Sequence, residues 1–189
     1  IYVKFEVSKG LYFVIWTTTP WTLPANVAVA LHPERRYCVI EVGKDETWIL
    51  AESRAQSVLN TLGKQYPLTG EETKLGSHFT GTPYTRPLSA EPGKVVLSDF
   101  VSMEEGTGIV HIAPGHGEED YHLGLKNKLP VFSPVDQSGN FTEEVPLSSL
   151  KGKNVFKANG EIVEILRQKG VLVHEEKITH SYPHCWRCK

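Results

Sequence analysis

LYFVIWTTTPWTLPAN, Leu11 to Asn26, decides how the rest of the chain is read. Its first six residues are a continuous apolar, β-rich run bounded by Gly10, the pattern of a buried strand. Thr17, Thr18 and Thr19 then set three hydroxyls in a row at the end of that strand. A packed core has no use for them, because each hydroxyl taken from water costs free energy unless it finds a partner. A turn could use one or two. A site that handles a polar ligand could use all three. Thr19 precedes Pro20 and is biased to extended backbone, and Pro24 breaks any helix that would follow.

Outward from this stretch the pattern stays β-like. Tyr2 to Val7 alternates apolar and polar residues, as a strand with one wet face does. Asn26 to Leu31, Tyr37 to Val42 and Thr47 to Ala51 read as strands with short connections. Glu52 to Leu62 reads as a helix with Ala55, Val58, Leu59 and Leu62 on one face and Gly63 closing it. The stretch through Pro92 is rich in Gly, Thr and Pro and reads as loops with short strands. Lys94 to Phe100 and Gly108 to Ile112 are β-like, Glu118 to Asn127 a short helix, and Val131 to Phe132 a strand. Asp136 to Asn140 is a turn, Ala158 to Lys169 a helix with Ile162, Ile165 and Leu166 inward, and Val171 to His174 a strand. Strands outnumber helices without regular alternation, which disfavours a doubly wound parallel sheet. The expectation is an α+β, mostly β domain: a mixed sheet with a few covering helices.

With 189 residues, 40% hydrophobic and 22% charged, the chain can bury a sizeable core and is not disordered. No apolar run approaches the roughly 20 residues of a membrane-spanning helix. The first residues lack a signal-peptide pattern. The absence of an initial Met and the stop after HCWRCK suggest a piece of something longer. A net charge of −2 gives none of the basic surplus of a free-standing nucleic-acid binder, so such a partner would be held largely elsewhere. Three cysteines form no even disulfide framework, which favours reducing, cytoplasmic surroundings. There is no Gly-x-Ser-x-Gly elbow, no phosphate loop ending in Gly-Lys-Ser/Thr and no His-Glu-x-x-His helix.

GTGIVHIAPGHGEEDYH, Gly106 to His122, is the second dense stretch. His111 falls on an alternating strand, His116 in the following loop, and Asp120 near a helix start, where the dipole favours an ionised carboxylate suited to an ammonium group. The plainer alternative makes Asp120 a cap and His111 a satisfied core histidine. His111, His116 and His122 with Glu118 and Glu119 match no common zinc spacing. In the tail HSYPHCWRCK, Cys185 and Cys188 are two residues apart, half of a tetrahedral zinc site. His180 and His184 are too crowded beside them to complete it. A thioredoxin-like motif needs a helix after its first cysteine, and only Lys189 follows the second.

Four of these stretches, WTTTPWTLPAN at 16–26, GTGIVHIAPGHGEEDY at 106–121, NVFKAN at 154–159 and HSYPHCWRC at 180–188, together resemble the editing (CP1) insertion of isoleucyl-tRNA synthetase, a class I aminoacyl-tRNA synthetase. The order is right and nearly the whole chain is covered. Related valyl and leucyl enzymes carry Thr-Thr-Arg-Pro, whereas Thr17-Thr18-Thr19-Pro20-Trp21 is the isoleucyl form. Gly63 to Pro92 matches less distinctively, and no function is carried onto it. The ATP-handling signatures of a parent synthetase are absent. The resemblance implies a barrel-like mixed sheet over residues 1–179, with 180–189 leading back to the parent enzyme.

It also implies an aminoacyl-ester hydrolase that proofreads valine. A pocket for isoleucine rejects valine only weakly, since one missing methylene is worth about 1–3 kcal/mol. A second site removes what slips through by excluding the larger side chain. On this resemblance Thr17, Thr18 and Thr19 wall the scissile ester, with Thr19 in direct catalytic contact. Asp120 binds the α-ammonium and His111 borders the side-chain pocket. Trp16 and Trp21 shape the pocket or stack on adenine, and Asn26 belongs to the motif. The implied partners are the valine-carrying 3′ end of tRNA(Ile), valyl-adenylate and the remainder of the synthetase, with no membrane. Editing would need no cofactor, and Cys185 and Cys188 would bind structural zinc only in the full-length enzyme. Two other readings are a non-catalytic module that binds the aminoacylated tRNA 3′ end and a structural insertion with a zinc tail.

Overall fold

A computed structural model describes residues 1–64 and 72–177. The hairpin β1 (Tyr2–Ser8) and β2 (Leu11–Trp16) turns at Gly10, followed by β3 (Ala28–Leu31), β4 (Arg36–Gly43) and β5 (Glu46–Ala51). Helix α1 (Glu52–Thr61) follows, then β6 (Glu72–Leu75), β7 (Pro83–Thr85), β8 (Pro92–Leu97) and β9 (Ile109–Ile112). The chain continues through α2 (Glu118–Lys126), α3 (Val155–Gln168) and β10 (Leu172–His174). The sheet runs β6-β4-β5-β2-β1-β7-β8-β3-β9. The pairs β2–β5 and β3–β8 are parallel and the other pairs antiparallel, so the sheet is mixed as expected. Strand β10 pairs with β1 near Tyr2 and Val3, whereas β7 meets β1 at Glu6.

The apolar run of β2 is buried on both faces because two cores flank it. Phe13 and Ile15 join Val3, Phe5, Val29, Leu31, Ile49, Val95 and Ile109 in a central cluster that α3 closes with Ala158, Ile162 and Leu166. Val14 faces the other way, with Ile40, Trp48 and Leu50 under Ala55, Val58 and Leu59 of α1. Behind β3, Ala28 and Ala30 join Val96, Ile112 and Leu123 of α2 in a third cluster. Both halves of the sheet thus fold over the central cluster, and β9 lies against β2 without pairing to it. The Ala51 N–H donates to Thr107 O at 2.9 Å across that approach. The sheet is nevertheless not a barrel: its path ends at β6 and β9, which do not pair with each other among the described residues.

Three local expectations differ. Residues Pro20–Ala25 form a 3-10 turn, begun by Thr19 (φ −121°, ψ 72°, short of the extended backbone expected) and Pro20 in the first helical position, and so short that Pro24 removes no essential bond. Val131 and Phe132 form no strand; Pro130 and Pro134 flank them and Val131 is half exposed. Helix α3 begins three residues before Ala158, because Asn154 caps it by accepting from the Phe156 N–H at 3.2 Å. Asn154→Ala should therefore lower stability by about 1 kcal/mol, read as a fall in the urea midpoint at unchanged m-value.

Candidate active site

The end of β2 is held by strand-like bonds to the chain start: the Thr17 N–H donates to Ile1 O at 3.0 Å. Beyond it the chain must leave the sheet at Pro20, and the threonines form the exit. The Thr19 N–H donates to Thr17 Oγ1 at 3.1 Å, and the two hydroxyls lie 3.3 Å apart. Thr17 and Thr18 border two clefts at the strand end. One of about 500 Å³ runs between Trp16, Pro20 and the α3 residues Asn159, Gly160 and Val163. The other, about 280 Å³, lies against Ser102 and Glu105 to Val110. Trp16 borders both.

Thr19 connects the exit to a buried polar chain. Thr22 Oγ1 donates to Thr19 O at 2.9 Å and lies 2.8 Å from His111 Nε2. On the far side of the ring, His111 Nδ1 is 3.2 Å from Asn26 Nδ2, which also donates to Ala28 O at 2.8 Å. Asn26 Oδ1 accepts from the Tyr84 hydroxyl at 2.6 Å, and Arg86 Nη1 donates to Asn26 O at 2.7 Å. Burial of His111, with His116 nearby, pushes its pKa down to about 4, so the ring is neutral at pH 7. The Asn26 amide has two hydrogens, one on Ala28 O and one facing Nδ1. Nδ1 is therefore the acceptor, and Nε2 carries the proton and donates to Thr22.

The strand holding His111 ends at Ile112, and the next residue, Ala113, donates its N–H to Asp120 Oδ2 at 2.8 Å. This folds α2 back so that its first turn sits beside the end of β9. Gly115 makes the fold-back feasible, since a Cβ there would stand 2.3 Å from Phe132 O. Burial pushes the Asp120 carboxyl above its ordinary value, the Ala113 bond opposes this, and Glu119 adds to the rise. That rise runs against the helix-start stabilisation expected from sequence, because desolvation is the larger effect here. Trp21 stands edge-on to His116 at 5.1 Å between ring centroids and to Phe156 at 6.2 Å. Burial also lowers the His116 pKa, and its Nε2 is buried with no partner among the described residues.

The residues named from sequence thus fall into two groups joined at Thr19. Trp16, Thr17 and Thr18 border the clefts, while Trp21, Asn26, His111 and Asp120 surround the 3-10 turn and the end of β9. Neither of the two clefts is bordered by His111 or Asp120. Sequence reasoning missed Thr22, although it sits inside the quoted motif three residues after Thr19. It also missed Tyr84 and Arg86, which lie in the segment to which no function was carried. Cys185 and Cys188 lie outside the described residues. Among the described residues, no three His, Cys, Asp or Glu side chains cluster as a metal site would require. No helix among them is long and apolar enough to cross a membrane.

The chain belongs to the editing-domain family of the aminoacyl-tRNA synthetases. Residues 1–178 match the family model of the leucyl-tRNA synthetase editing domain. Within that family its sequence is similar to isoleucine--tRNA ligases, as the threonine motif implied. All of this chain aligns with 20% of the ligase from Kosmotoga olearia at 52% identity, and with 19% of that from Pyrococcus abyssi at 46%. The chain therefore spans about a fifth of the length of these relatives. The fold is also that of the crystal structure of GlLeuRS-CP1, with TM-score 0.71 and 16% identity over 97% of this chain and 99% of that one. The Plasmodium falciparum cytosolic leucyl-tRNA synthetase editing domain matches at TM-score 0.68 and 14% identity, covering 88% and 80%.

Proposed function

We propose that this domain hydrolyses the ester of valyl-tRNA(Ile), and also valyl-adenylate, while excluding isoleucine. The observation that carries this reading is the threonine exit itself. Three hydroxyls leave a buried strand between two clefts, and the same turn reaches through Thr22 and His111 to the strand end where Asp120 is fixed.

In this reading Thr17, Thr18 and Thr19 hold the terminal ribose and the attacking water. Thr17 and Thr19 are already bonded to each other, so Thr18 is the hydroxyl best placed to turn toward substrate, and Thr19 makes the catalytic contact through its end of the network. Asp120 pairs with the α-ammonium, which every aminoacyl substrate presents. His111 acts as a wall of the side-chain pocket and not as a proton carrier, because both ring nitrogens are engaged and the ring is neutral. Asn26 orients that ring, and Trp16 and Trp21 shape the cleft.

The chemistry asks for little more. An aminoacyl ester is already activated, and placing water beside fixed charge supplies much of the acceleration. With its charge committed to the ammonium, Asp120 is a poor general base. The free vicinal hydroxyl of the substrate's own ribose is the better candidate, taking the proton from water while passing its own to the leaving ribose oxygen as the acyl C–O bond breaks. The tRNA 3′ end and the remainder of a cytoplasmic synthetase are the partners this role requires. A zinc bound by Cys185 and Cys188 would belong to that larger protein.

Hydrolysis of valyl-tRNA(Ile) and isoleucyl-tRNA(Ile) by the chain at low salt tests this directly, since phosphate contacts weaken steeply as salt rises. Loss of the valyl ester at least tenfold faster than the isoleucyl ester is the expected result. Binding of a non-hydrolysable valyl-adenosine analogue with no turnover of either ester would instead make this a binding module.

A further inference from the structure

The buried polar chain has a direction, set at Asn26 by the Tyr84 hydroxyl together with Ala28 O. Its phenol is buried, and burial pushes its pKa well up, so it is a protonated donor. It gives its proton to Asn26 Oδ1 at 2.6 Å. With the carbonyl end of the amide so fixed, Asn26 can offer only N–H to His111 Nδ1. The proton of the neutral ring must then stand on Nε2, and Thr22 is free to spend its own proton on Thr19 O. Every donor in the run meets an acceptor, from Tyr84 through Asn26, His111 and Thr22 to Thr19.

We infer that Tyr84 is a positioning residue for the proposed editing reaction. It acts from outside the threonine and histidine motifs, by locking the Asn26 amide and through it the tautomer of His111 and the backbone of Thr19. Nothing in the linear sequence joins Tyr84 to the site, since 58 residues separate it from Asn26. The fold joins them because β7, which carries Tyr84, pairs with β8, and β8 runs parallel to β3, just beyond Asn26.

Space for the phenol is built in. A Cβ on Gly93, the cross-strand partner of Tyr84, would stand 2.1 Å from the ring carbon that bears the hydroxyl. Phe5 closes another side edge-on, with ring centroids 5.3 Å apart. Glycine at 93 is thus the residue that lets the hydroxyl reach Asn26.

Without the phenol proton, Asn26 Oδ1 is buried and unpaired, which favours swinging the side chain off its present seat toward another donor. The N–H that faces His111 Nδ1 leaves with it, and the ring is no longer held to one tautomer. Where the proton moves to Nδ1, Nε2 becomes an acceptor, Thr22 Oγ1 donates to it, and Thr19 O keeps only its bond from the Thr22 N–H at 3.1 Å. The Asn26 bond to Ala28 O opposes this release.

The inference rests on the editing reading for its consequence but not for its geometry, and the test separates the two. The chain is labelled with ¹⁵N-histidine, and the His111 tautomer is read by NMR in wild type, Tyr84→Phe and Gly93→Ala. The last variant keeps the hydroxyl but displaces it. Valyl ester hydrolysis is measured beside each spectrum. We expect Nε2–H alone in wild type and a mixed or Nδ1–H ring in both variants, with kcat about tenfold lower and KM little changed. A wild-type Nδ1–H ring, or an Nε2–H ring that survives in Tyr84→Phe, overturns the inference. So does a slower variant whose tautomer is intact and whose melting temperature alone has fallen, since that is a purely structural loss. If wild type hydrolyses nothing, the editing reading fails while the tautomer still decides the relay.

Discussion

Replacing Asp120 by Asn should lower kcat/KM for valyl ester hydrolysis about a hundredfold, a loss of roughly 3 kcal/mol from the ammonium contact. The pair Asp120→Asn and Asp120→Ala separates charge from structure. An Asn carbonyl can still accept from the Ala113 N–H, now made at 2.8 Å, whereas Ala cannot. Both variants lose the negative charge, so both should lose activity to a similar extent. Only Asp120→Ala should also lose stability, because it leaves a backbone donor at the end of β9 without its partner. Single-turnover hydrolysis and thermal melts of the three proteins check this. Full activity in Asp120→Asn would remove the carboxylate from the proposed mechanism. Loss confined to Asp120→Ala would reduce it to a brace for the strand end.

The second large effect is on stability and follows from His111. Its folded pKa is about 4 against an ordinary 6.5, so the unfolded chain binds a proton that the folded chain refuses. Above pH 6.5 both states are neutral and the group contributes no pH dependence. As pH falls from 6.5 toward 4, the unfolded state gains the proton first and the folded state loses stability, by about 3 kcal/mol once both are protonated. The buried polar chain supplies the reason. A proton on Nδ1 would point at the Asn26 N–H, donor against donor. His116, also lowered by burial, works in the same direction. Urea unfolding at pH 7 and pH 4.5 should show the loss in wild type, and a His111→Gln variant should lack most of it. Carboxylates titrate in both proteins and cancel in the comparison. Equal slopes would mean that His111 is hydrated or charged in the folded state.

The site and the acid sensitivity have one origin. A neutral histidine with both nitrogens engaged makes a rigid wall, and its engagement is what protonation destroys. Rigidity is what the proposed pocket would need to tell side chains apart by a single methylene, because a wall that yields admits the larger one.

Much of the fold was legible because burial imposes a period on the sequence. The strand of Leu11–Trp16, the helical face of Ala55, Val58 and Leu59, and the helix containing Ile162 and Leu166 appear where the pattern placed them. Legibility failed where local chemistry competed with pattern. The apolar pair Val131 and Phe132 reads as a strand, but prolines on either side deny it a ladder. The start of α3 was missed because a cap is a hydrogen bond and leaves no apolar signal. The sheet's open edges were also hidden, since closure depends on whether β6 meets β9, and neither strand states that in its own residues.

For the site, the sequence by itself determined which groups are present and which local geometry they need: three hydroxyls at a strand end, a proline to turn the chain, a carboxylate in the first turn of a helix. It determined the family through those same stretches. Tertiary structure alone decided how the groups act together. It made His111 neutral by removing it from water, gave its ring one tautomer through Asn26, and brought Tyr84 from another part of the sheet to hold that amide. It also raised the Asp120 carboxyl where the helix position alone predicts the reverse. Composition and spacing fix what a residue can do, but desolvation and hydrogen-bond direction depend on neighbours distant in the chain, and those exist only once the sheet has folded.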